Sequence, residues 1–269
     1  MIELPLAVSG ATAVDVARAC SRVACESIRA HFGKATVGVK GNRNIVTEAD
    51  VATERAVMAI LRAEYPDHAI LAEETASGSW SDGWMWVCDP IDGTKNFAQG
   101  IPHFAFSLAL CFGGDPVLGL TSHPLLDWEF LAVADQGTTY NGERVHGSGR
   151  TELRECVVAI DLGFDGERGQ QQLALAAGLW ADVQGIRTSG SAALGFAYVA
   201  AGLWDVYVHA QLSPWDSAAG LVLAREAGCI ATSFAGAHAT LRDEGVVVGM
   251  PGPQASVVAR RARIVKAGG

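Results

Sequence analysis

The chain has 269 residues, of which 49% are hydrophobic and 18% are charged, so it can bury a large core and is neither disordered nor fibrous. Its 29 acidic residues outnumber its 20 lysines and arginines, and a surface with a net charge of -9 repels phosphate backbones and anionic membranes. No apolar run reaches the roughly 18 to 20 residues that a membrane span needs, so we predict neither a nucleic-acid nor a membrane partner.

Cysteine usage and the first residues bear on the cellular compartment. The six cysteines are scattered without a CxxC pair, which argues against a disulfide scaffold and against a zinc site. Glu3 and Pro5 stand where a secretory signal peptide would have its positively charged start, and no small-residue cleavage site follows. These features predict a cytoplasmic protein.

Two amphipathic helices are predicted first along the chain. A capping-box spacing at Thr12 precedes apolar residues that recur at helical intervals until Gly33. A second helix is predicted from about Asp50 to Glu64, because the apolar pattern starts there and Pro66 ends it.

Short apolar runs follow and predict a β-sheet, because Gly, Pro and Asp separate them. The pair Asn141-Gly142 fits a tight hairpin turn in this region. After residue 150, strand and helix patterns alternate and end in a C-terminal helix. We therefore predict an N-terminal α+β domain at residues 1–150 and a C-terminal α/β domain at residues 151–269.

The string WVCDPIDGT, residues 86–94, is the most informative short segment. An apolar strand delivers two carboxylates, Asp89 and Asp92, into a turn that contains Pro and Gly. Hard divalent cations such as Mg2+ prefer such oxygen ligands. An ordinary turn built from the commonest turn-forming residues explains this string equally well.

Three further acids lie at the ends of predicted elements, and each has a simpler explanation. Glu73, beside Glu74, can be a solvated loop residue, and Asp50 can belong to a capping box with Thr47. Asp216 can be an acid in the first turn of a helix. Because the chain has no catalytic Ser/His or Cys/His signature, convergence of these acids on one metal site is the more economical interpretation.

Taken together, the motifs resemble the inositol monophosphatase-like family of metal-dependent, lithium-sensitive phosphatases. The matching strings are VTEAD (46–50), AEET (72–75), WVCDPIDGTKNF (86–97), GSAAL (190–194) and PWDSAAG (214–220). The resemblance covers most of the chain. It implies a mixed α/β fold, a layered αβαβα sandwich of the inositol monophosphatase and fructose-1,6-bisphosphatase type, and a homodimer.

The resemblance also implies roles for individual residues. Two to three Mg2+ ions would be held, the first by Glu73, Asp89 and the carbonyl of Ile91, the second by Asp89, Asp92 and Asp216, and a third, weaker one again by Glu73. Asp50 and Thr94 match the pair that orients and deprotonates the attacking water, and Glu73 is counted with these catalytic residues. The amides of Gly93 and Thr94 would cradle the phosphate, and the substrate side would be formed by Gly190, Ser191, Ala192 and His209. The first predicted domain therefore carries most metal ligands, and the second carries Asp216 and the substrate-selecting residues.

His209 departs from the family pattern. Inositol-selective relatives typically carry Glu at this position, seven residues before the WD aspartate, where it accepts hydrogen bonds from substrate hydroxyls. A neutral imidazole offers one donor and one acceptor, so the alcohol half of the substrate would be recognised differently; a loop histidine without a ligand is the alternative. Lys95 is a lesser departure, either attracting phosphate or remaining solvated. We interpret His103, His123, His146 and His238 as structural.

The expected function is Mg2+-dependent hydrolysis of a small-molecule phosphate monoester, an inositol monophosphate-like polyol, cyclitol or sugar phosphate. Fructose 1,6-bisphosphate and histidinol phosphate are the alternatives among relatives with the same metal site. A 3'-phosphoadenosine phosphate ranks last, because the sequence shows no aromatic or arginine platform for a base. A non-catalytic regulatory protein on the same scaffold would be expected to have lost metal carboxylates, and none of Glu73, Asp89, Asp92 and Asp216 is missing.

Overall fold

Helices and strands alternate along the part of the chain that the computed structural model describes, which is residues 2–34, 37–41, 44–74 and 80–268. The α-helices are α1 (Ala13–His31), α2 (Glu48–Glu64), α3 (Thr94–Ala98), α4 (Gly166–Leu179), α5 (Ala192–Ala200), α6 (Pro214–Glu226) and α7 (Pro251–Gly268). The strands are β1 (Val37–Gly41), β2 (Asn44–Thr47), β3 (Ala69–Ala72), β4 (Trp84–Asp92), β5 (Ala105–Phe112), β6 (Asp115–His123), β7 (Trp128–Val133), β8 (Gly137–Tyr140), β9 (Glu143–Val145), β10 (Val157–Asp161), β11 (Gly185–Arg187), β12 (Val206–His209), β13 (Ile230–Ser233) and β14 (Val246–Gly249).

The two N-terminal helices begin at capping boxes. At the start of α1, the Thr12 hydroxyl accepts a hydrogen bond from the Asp15 amide at 3.1 Å, as the spacing predicts. Helix α2 begins two residues before the predicted start, because Asp50, which forms a capping box with Thr47, is the third residue of the helix and not the first. Both helices pack against each other and against the first large sheet.

The first large sheet has seven strands in the order β3-β4-β5-β6-β7-β8-β9. Strands β3 and β4 are parallel, and every later neighbour pairs antiparallel. The predicted hairpin turn joins β8 to β9, and Asn141 and Gly142 both have positive φ, at 49° and 83°, as a type I′ turn requires. The sequence pattern did not predict the short helix α3, which follows β4 immediately.

The second large sheet has five strands in the order β11-β10-β12-β14-β13. Strand β10 runs parallel to β11 and β12, whereas β14 pairs antiparallel with β12 and β13. Strands β11 and β13 were not predicted. Both are short edge strands without a long apolar run, and Ile230 at the start of β13 is exposed.

Five layers follow from these packings. Helices α1 and α2 cover the seven-stranded sheet, α5 and α6 lie between the two sheets, and α4 and α7 cover the outer face of the five-stranded sheet. Every residue of α5 is buried, because sheet or helix packs against it on all sides. The αβαβα sandwich expected from the sequence resemblance is therefore confirmed.

Close contact between the layers depends on one glycine of the first sheet. A Cβ atom at Gly119 in β6 would lie 2.6 Å from the carbonyl oxygen of Ala219 in α6, so only glycine lets this helix approach the strand. The seven-stranded sheet ends at Val145 and the five-stranded sheet begins at Val157, while α5 and α6 contact both. The domain boundary near residue 150 stays a prediction. Among the described helices, none combines the length and apolarity of a membrane span.

Candidate active site

A cavity of about 650 Å3 opens where the two sheets and the inner helices meet. Its walls come from both halves of the chain, including β4, α3, β10, β12 and the first residues of α5 and α6. Among its lining residues that the structure describes, Lys95 is the one lysine or arginine, whereas five are acidic: Glu73, Asp89, Asp92, Asp161 and Asp216.

Three of these acids form a tight cluster. Asp89, Asp92 and Asp216 each offer a carboxylate oxygen within 4.8 Å of the other two. In a regular strand, residues three apart point to opposite faces, so Asp89 and Asp92 would be separated. The pairing with β5 is irregular between them: Asp89 is opposite Ser107, but Asp92 is opposite Ala105, which leaves one extra residue on β4. This β-bulge brings both carboxylates to one site.

The cluster is electrostatically unfavourable without a cation. Burial, reinforced by the charges of Glu73, Asp92 and Asp216, raises the pKa of Asp89 well above its ordinary value. Burial also raises the pKa of Asp216, and the Asp92 charge adds to this effect. Because hard divalent cations prefer several carboxylate oxygens and offset their repulsion, this donor set fits Mg2+.

Asp92 also fastens the start of an inner helix. Burial raises its pKa to about 6, and this rise is opposed by hydrogen bonds from the Ser191 hydroxyl and from the amides of Ala193 and Ala192. The two amides lie 2.9 Å and 3.1 Å from the Asp92 oxygens. Both oxygens of this carboxylate are therefore used at the N-terminus of α5.

The predicted substrate residues on this segment have different surroundings. Gly190 and Ala192 line the cavity, and Gly190 has the positive φ of 69° that favours glycine. Ser191 is buried at 1% exposure, caps α5 and donates its hydroxyl proton to Asp92. The Ser191 side chain therefore serves the protein's own carboxylate, and a direct contact between it and the substrate stays a prediction.

The structure brings Asp50 and Thr94 together although 44 residues separate them in sequence. The Thr94 hydroxyl lies 3.2 Å from Asp50 Oδ1 and 3.0 Å from the carbonyl oxygen of Ile91, and it can donate to either. Asp50 Oδ2 accepts the Thr47 amide at 2.8 Å, so Asp50 completes the capping box and contacts Thr94 at the same time. Asp50 is fully buried, and burial raises its pKa, which makes it a stronger base.

Gly93 precedes α3 at a position that only glycine suits. Its φ is 96°, and a Cβ atom would lie 3.1 Å from the Gly190 carbonyl oxygen. The amides of Gly93 and Thr94 lie at the start of this short helix, where backbone donors have no partner within the helix. Glu73, at the end of β3, lines the same cavity, whereas Thr75 of the AEET string lies outside the described residues.

Sequence reasoning missed Asp161. Its Oδ1 accepts the amides of Ser189 at 2.8 Å and Gly190 at 3.0 Å, and its Oδ2 accepts the Tyr207 hydroxyl at 2.8 Å. Asp161 therefore holds the turn that leads into α5. The signal was present, because the apolar run CVVAID ends in Asp just as WVCD does.

His209 ends β12 and lines the cavity. Its Nδ1 accepts the Gln211 amide at 3.1 Å, so the proton of the neutral ring is assigned to Nε2, which can donate. Burial lowers the pKa of His209, with the Asp161 charge opposing that effect, and the ring is therefore neutral near pH 7. With its proton on Nε2, the His209 ring offers the cavity a hydrogen-bond donor, which an ionised carboxylate could not.

An aromatic wall formed by Phe164, which the sequence did not reveal, lies beside Lys95. Phe164 lines the cavity, and the Lys95 ammonium lies 4.3 Å from the centre of its ring. Gln211 Oε1 holds this loop by accepting the amides of Phe164 and Asp165, each at 2.9 Å. Lys95 is exposed, as one of its two interpretations predicts, and it also contacts this aromatic ring. His103, interpreted as structural, also lines the cavity.

Comparisons with known proteins agree with this geometry. A sequence model of the inositol monophosphatase family matches residues 9–266. The Nus factor SuhB of Pseudomonas aeruginosa is 38% identical over 221 residues, which cover 80% of this chain and 81% of that protein. The crystal structure of the extragenic suppressor protein suhB from Bartonella henselae is 31% identical, with a TM-score of 0.88 and coverage of 92% of this chain and 97% of that one.

An IMPase structure from Thermotoga maritima is equally similar. It is 33% identical to this chain, has a TM-score of 0.88 and covers 95% of this chain and 99% of its own. The family match spans nearly the whole sequence, and both structures share the layered fold described above. The chain belongs to the inositol monophosphatase family.

Proposed function

We propose that this protein is a Mg2+-dependent phosphomonoesterase that hydrolyses a small polyol, cyclitol or sugar phosphate. The observation that carries the proposal is the cluster of Asp89, Asp92 and Asp216, with oxygens within 4.8 Å of one another and pKa values raised by burial. Such a cluster is costly unless a cation offsets it, and a phosphate monoester with about two negative charges would otherwise be repelled. Family membership supports the same reaction class.

The ligand set is part of the proposal. Glu73, Asp89, Asp92, Asp216 and the carbonyl oxygen of Ile91 would hold two to three Mg2+ ions. When bound, Mg2+ supplies positive charge to the phosphate and Lewis acidity to the attacking water. The bulge in β4 and the contacts of Asp92 with α5 hold two of these carboxylates in place before any ion binds.

Proton removal from water falls to Asp50 and Thr94. Thr94 cannot itself be the base, but its hydroxyl can accept a proton from water while it donates its own to Asp50 Oδ1, 3.2 Å away. The raised pKa of Asp50 favours this transfer. Backbone amides of Gly93 and Thr94 would take up charge on the phosphate oxygens, and no covalent enzyme intermediate is needed.

Substrate choice rests on the other cavity wall. Gly190, Ala192 and His209 line the cavity and would face the alcohol half of the substrate. The IMPase structure from Thermotoga maritima supports an inositol phosphate or a related cyclitol. Fructose 1,6-bisphosphate and histidinol phosphate remain alternatives on the same scaffold. We further propose that the protein is a homodimer, as the resemblance to the family implies, and that it is cytoplasmic, as its scattered cysteines predict.

A regulatory role is the second candidate, because the Pseudomonas aeruginosa relative is named a Nus factor. One experiment distinguishes the enzyme from the regulatory protein. Phosphate release is measured from a panel of inositol, glycerol, fructose and histidinol phosphates, first in EDTA and then after Mg2+ is restored. Mg2+-dependent release from one class at a rate at least tenfold above the others supports the proposed enzyme. The absence of release from every substrate in Mg2+ would refute it and favour the regulatory role.

A further inference from the structure

Glu54 is a buried carboxylate outside the metal cluster, and among the described residues only one of its two oxygens has a hydrogen-bond partner. Glu54 in α2 is fully buried, and its Oε2 accepts the Glu74 amide at 2.7 Å. Its Oε1 is also buried but has no hydrogen-bond partner among the residues that the structure describes. Burying a carboxylate in this way costs stability, and a leucine or methionine would fill the same helical position without that cost.

The amide that Glu54 holds belongs to the turn that carries a proposed metal ligand. Strands β3 and β4 pair in parallel up to Ala72 and Cys88, and the Glu73 amide then donates to the Cys88 carbonyl oxygen at 3.3 Å. Glu73 therefore leaves the end of β3 next to Asp89 of β4. Beyond this point the turn has left the regular ladder, and the Glu54 contact fastens its next residue, Glu74, to α2.

The same helix also carries the proposed base. Asp50 and Glu54 are one helical turn apart on α2 and are both fully buried. Asp50 is fastened to Thr94 after β4, while Glu54 is fastened to the turn after β3. Helix α2 thus contacts the residues that follow β3 and β4, the two strands of the first sheet that present acids to the cavity.

We propose that Glu54 is a positioning residue that fixes Glu73 in its place in the metal site by holding the Glu74 amide. The inference rests on the proposed function, because it takes Glu73 as a Mg2+ ligand. Glu54 acts through the backbone of its neighbour and does not itself contact substrate. Loss of its hydrogen bond would let the turn shift and would weaken Mg2+ binding more than folding.

The test compares three variants of the metal-stripped protein. Glu54→Ala removes the acceptor, while Glu54→Gln keeps an oxygen for the Glu74 amide and removes the charge. Glu64→Ala is the control, because Glu64 also lies in α2 and accepts a backbone amide of another segment, Ser9, at 3.1 Å, away from the cavity. Mg2+ binding is measured by calorimetric titration, and the fold of each variant by circular dichroism and thermal unfolding in EDTA.

We expect Glu54→Ala to raise the Mg2+ concentration for half-saturation at least tenfold, with Glu54→Gln and Glu64→Ala within threefold of wild type. Wild-type affinity in Glu54→Ala would overturn the proposal. A defect in Glu54→Gln as large as that in Glu54→Ala would also overturn it, because the retained oxygen should suffice. Wild-type protein that binds Mg2+ but hydrolyses nothing refutes only the proposed function, whereas wild-type protein that binds no Mg2+ refutes both.

Discussion

Asp89→Asn should stabilise the metal-free protein while it abolishes turnover. The Asp89 side chain makes one hydrogen bond within the described protein, in which it accepts the Ile91 amide at 3.0 Å. The side-chain oxygen of Asn can replace that acceptor. The substitution therefore removes a buried charge and keeps the turn. Asp92→Asn is the matched comparison, because both Asp92 oxygens accept hydrogen bonds from α5 and an amide nitrogen cannot replace one of them.

The magnitude follows from the pKa values. The rise of the Asp92 pKa from 3.8 to about 6 corresponds to about 3 kcal/mol, at about 1.4 kcal/mol per pKa unit. Burial and the neighbouring acids also raise the pKa of Asp89 well above 3.8, so we expect Asp89→Asn to increase the free energy of unfolding. For a chain of this size each kcal/mol gained corresponds to roughly 2 to 4 °C in Tm. Asp92→Asn should show little gain, because an unpaired buried amide costs about 1 to 3 kcal/mol.

The pH dependence gives the prediction a second check. The unfolded carboxyl ionises near pH 3.8, whereas the folded one ionises only at higher pH. The penalty is therefore absent below pH 3.8, grows between pH 3.8 and the folded-state pKa, and is constant above that pKa. Thermal unfolding in EDTA should therefore show no advantage of Asp89→Asn below pH 3.8 and an advantage that increases as the pH rises above 3.8. If Asp89→Asn is destabilised across this range, the carboxylate serves only the turn.

Other predictions concern the metal and the substrate. Exhaustive chelation should abolish phosphate release and Mg2+ should restore it, because five acids line the cavity with one lysine; activity that survives chelation contradicts the mechanism. Asp89→Asn should lower turnover by about two orders of magnitude or more at saturating Mg2+, and turnover near that of wild type would exclude Asp89 as a ligand. Li+ should inhibit at subsaturating Mg2+, as the family resemblance implies, and unchanged turnover would indicate a differently shaped second metal site. His209→Glu should raise activity on inositol phosphates relative to p-nitrophenyl phosphate about tenfold, and an equal loss on both would place His209 in the catalytic machinery.

The sequence predicted the acids of the site better than the contacts that hold them. Asp89, Asp92 and Asp216 follow apolar runs or a helix start. These local patterns are visible in the sequence, and the structure brings the three acids together. The role of Asp92 at α5 depends on residues about 100 positions away, and no local pattern encodes such a contact. The aromatic wall at Phe164 was missed for the same reason, because Gln211 places it from another strand end.

The boundaries of elements show the same limit. The capping-box spacings mark the starts of α1 and α2. The predicted start of α2 was nevertheless two residues too late, because Asp50 is the third residue of that helix. The bulge in β4 is also invisible in the string WVCDPIDGT, because it exists only relative to the pairing with β5. Local sequence patterns therefore predict which acids are candidates for the site, whereas strand pairing determines whether two of them lie on the same face of the sheet.

The inner layer has an electrostatic consequence for the acid cluster. Helices α5 and α6 both begin at the cavity, with Asp92 on the N-terminus of α5 and Asp216 in the first turn of α6. The N-terminal end of a helix carries the positive end of its dipole, so each carboxylate lies where its charge is best tolerated. The fold itself thus offsets part of the repulsion between these acids. Because the carboxylates of such a preorganised site are already in place, little of the binding free energy is lost to rearrangement when a cation binds.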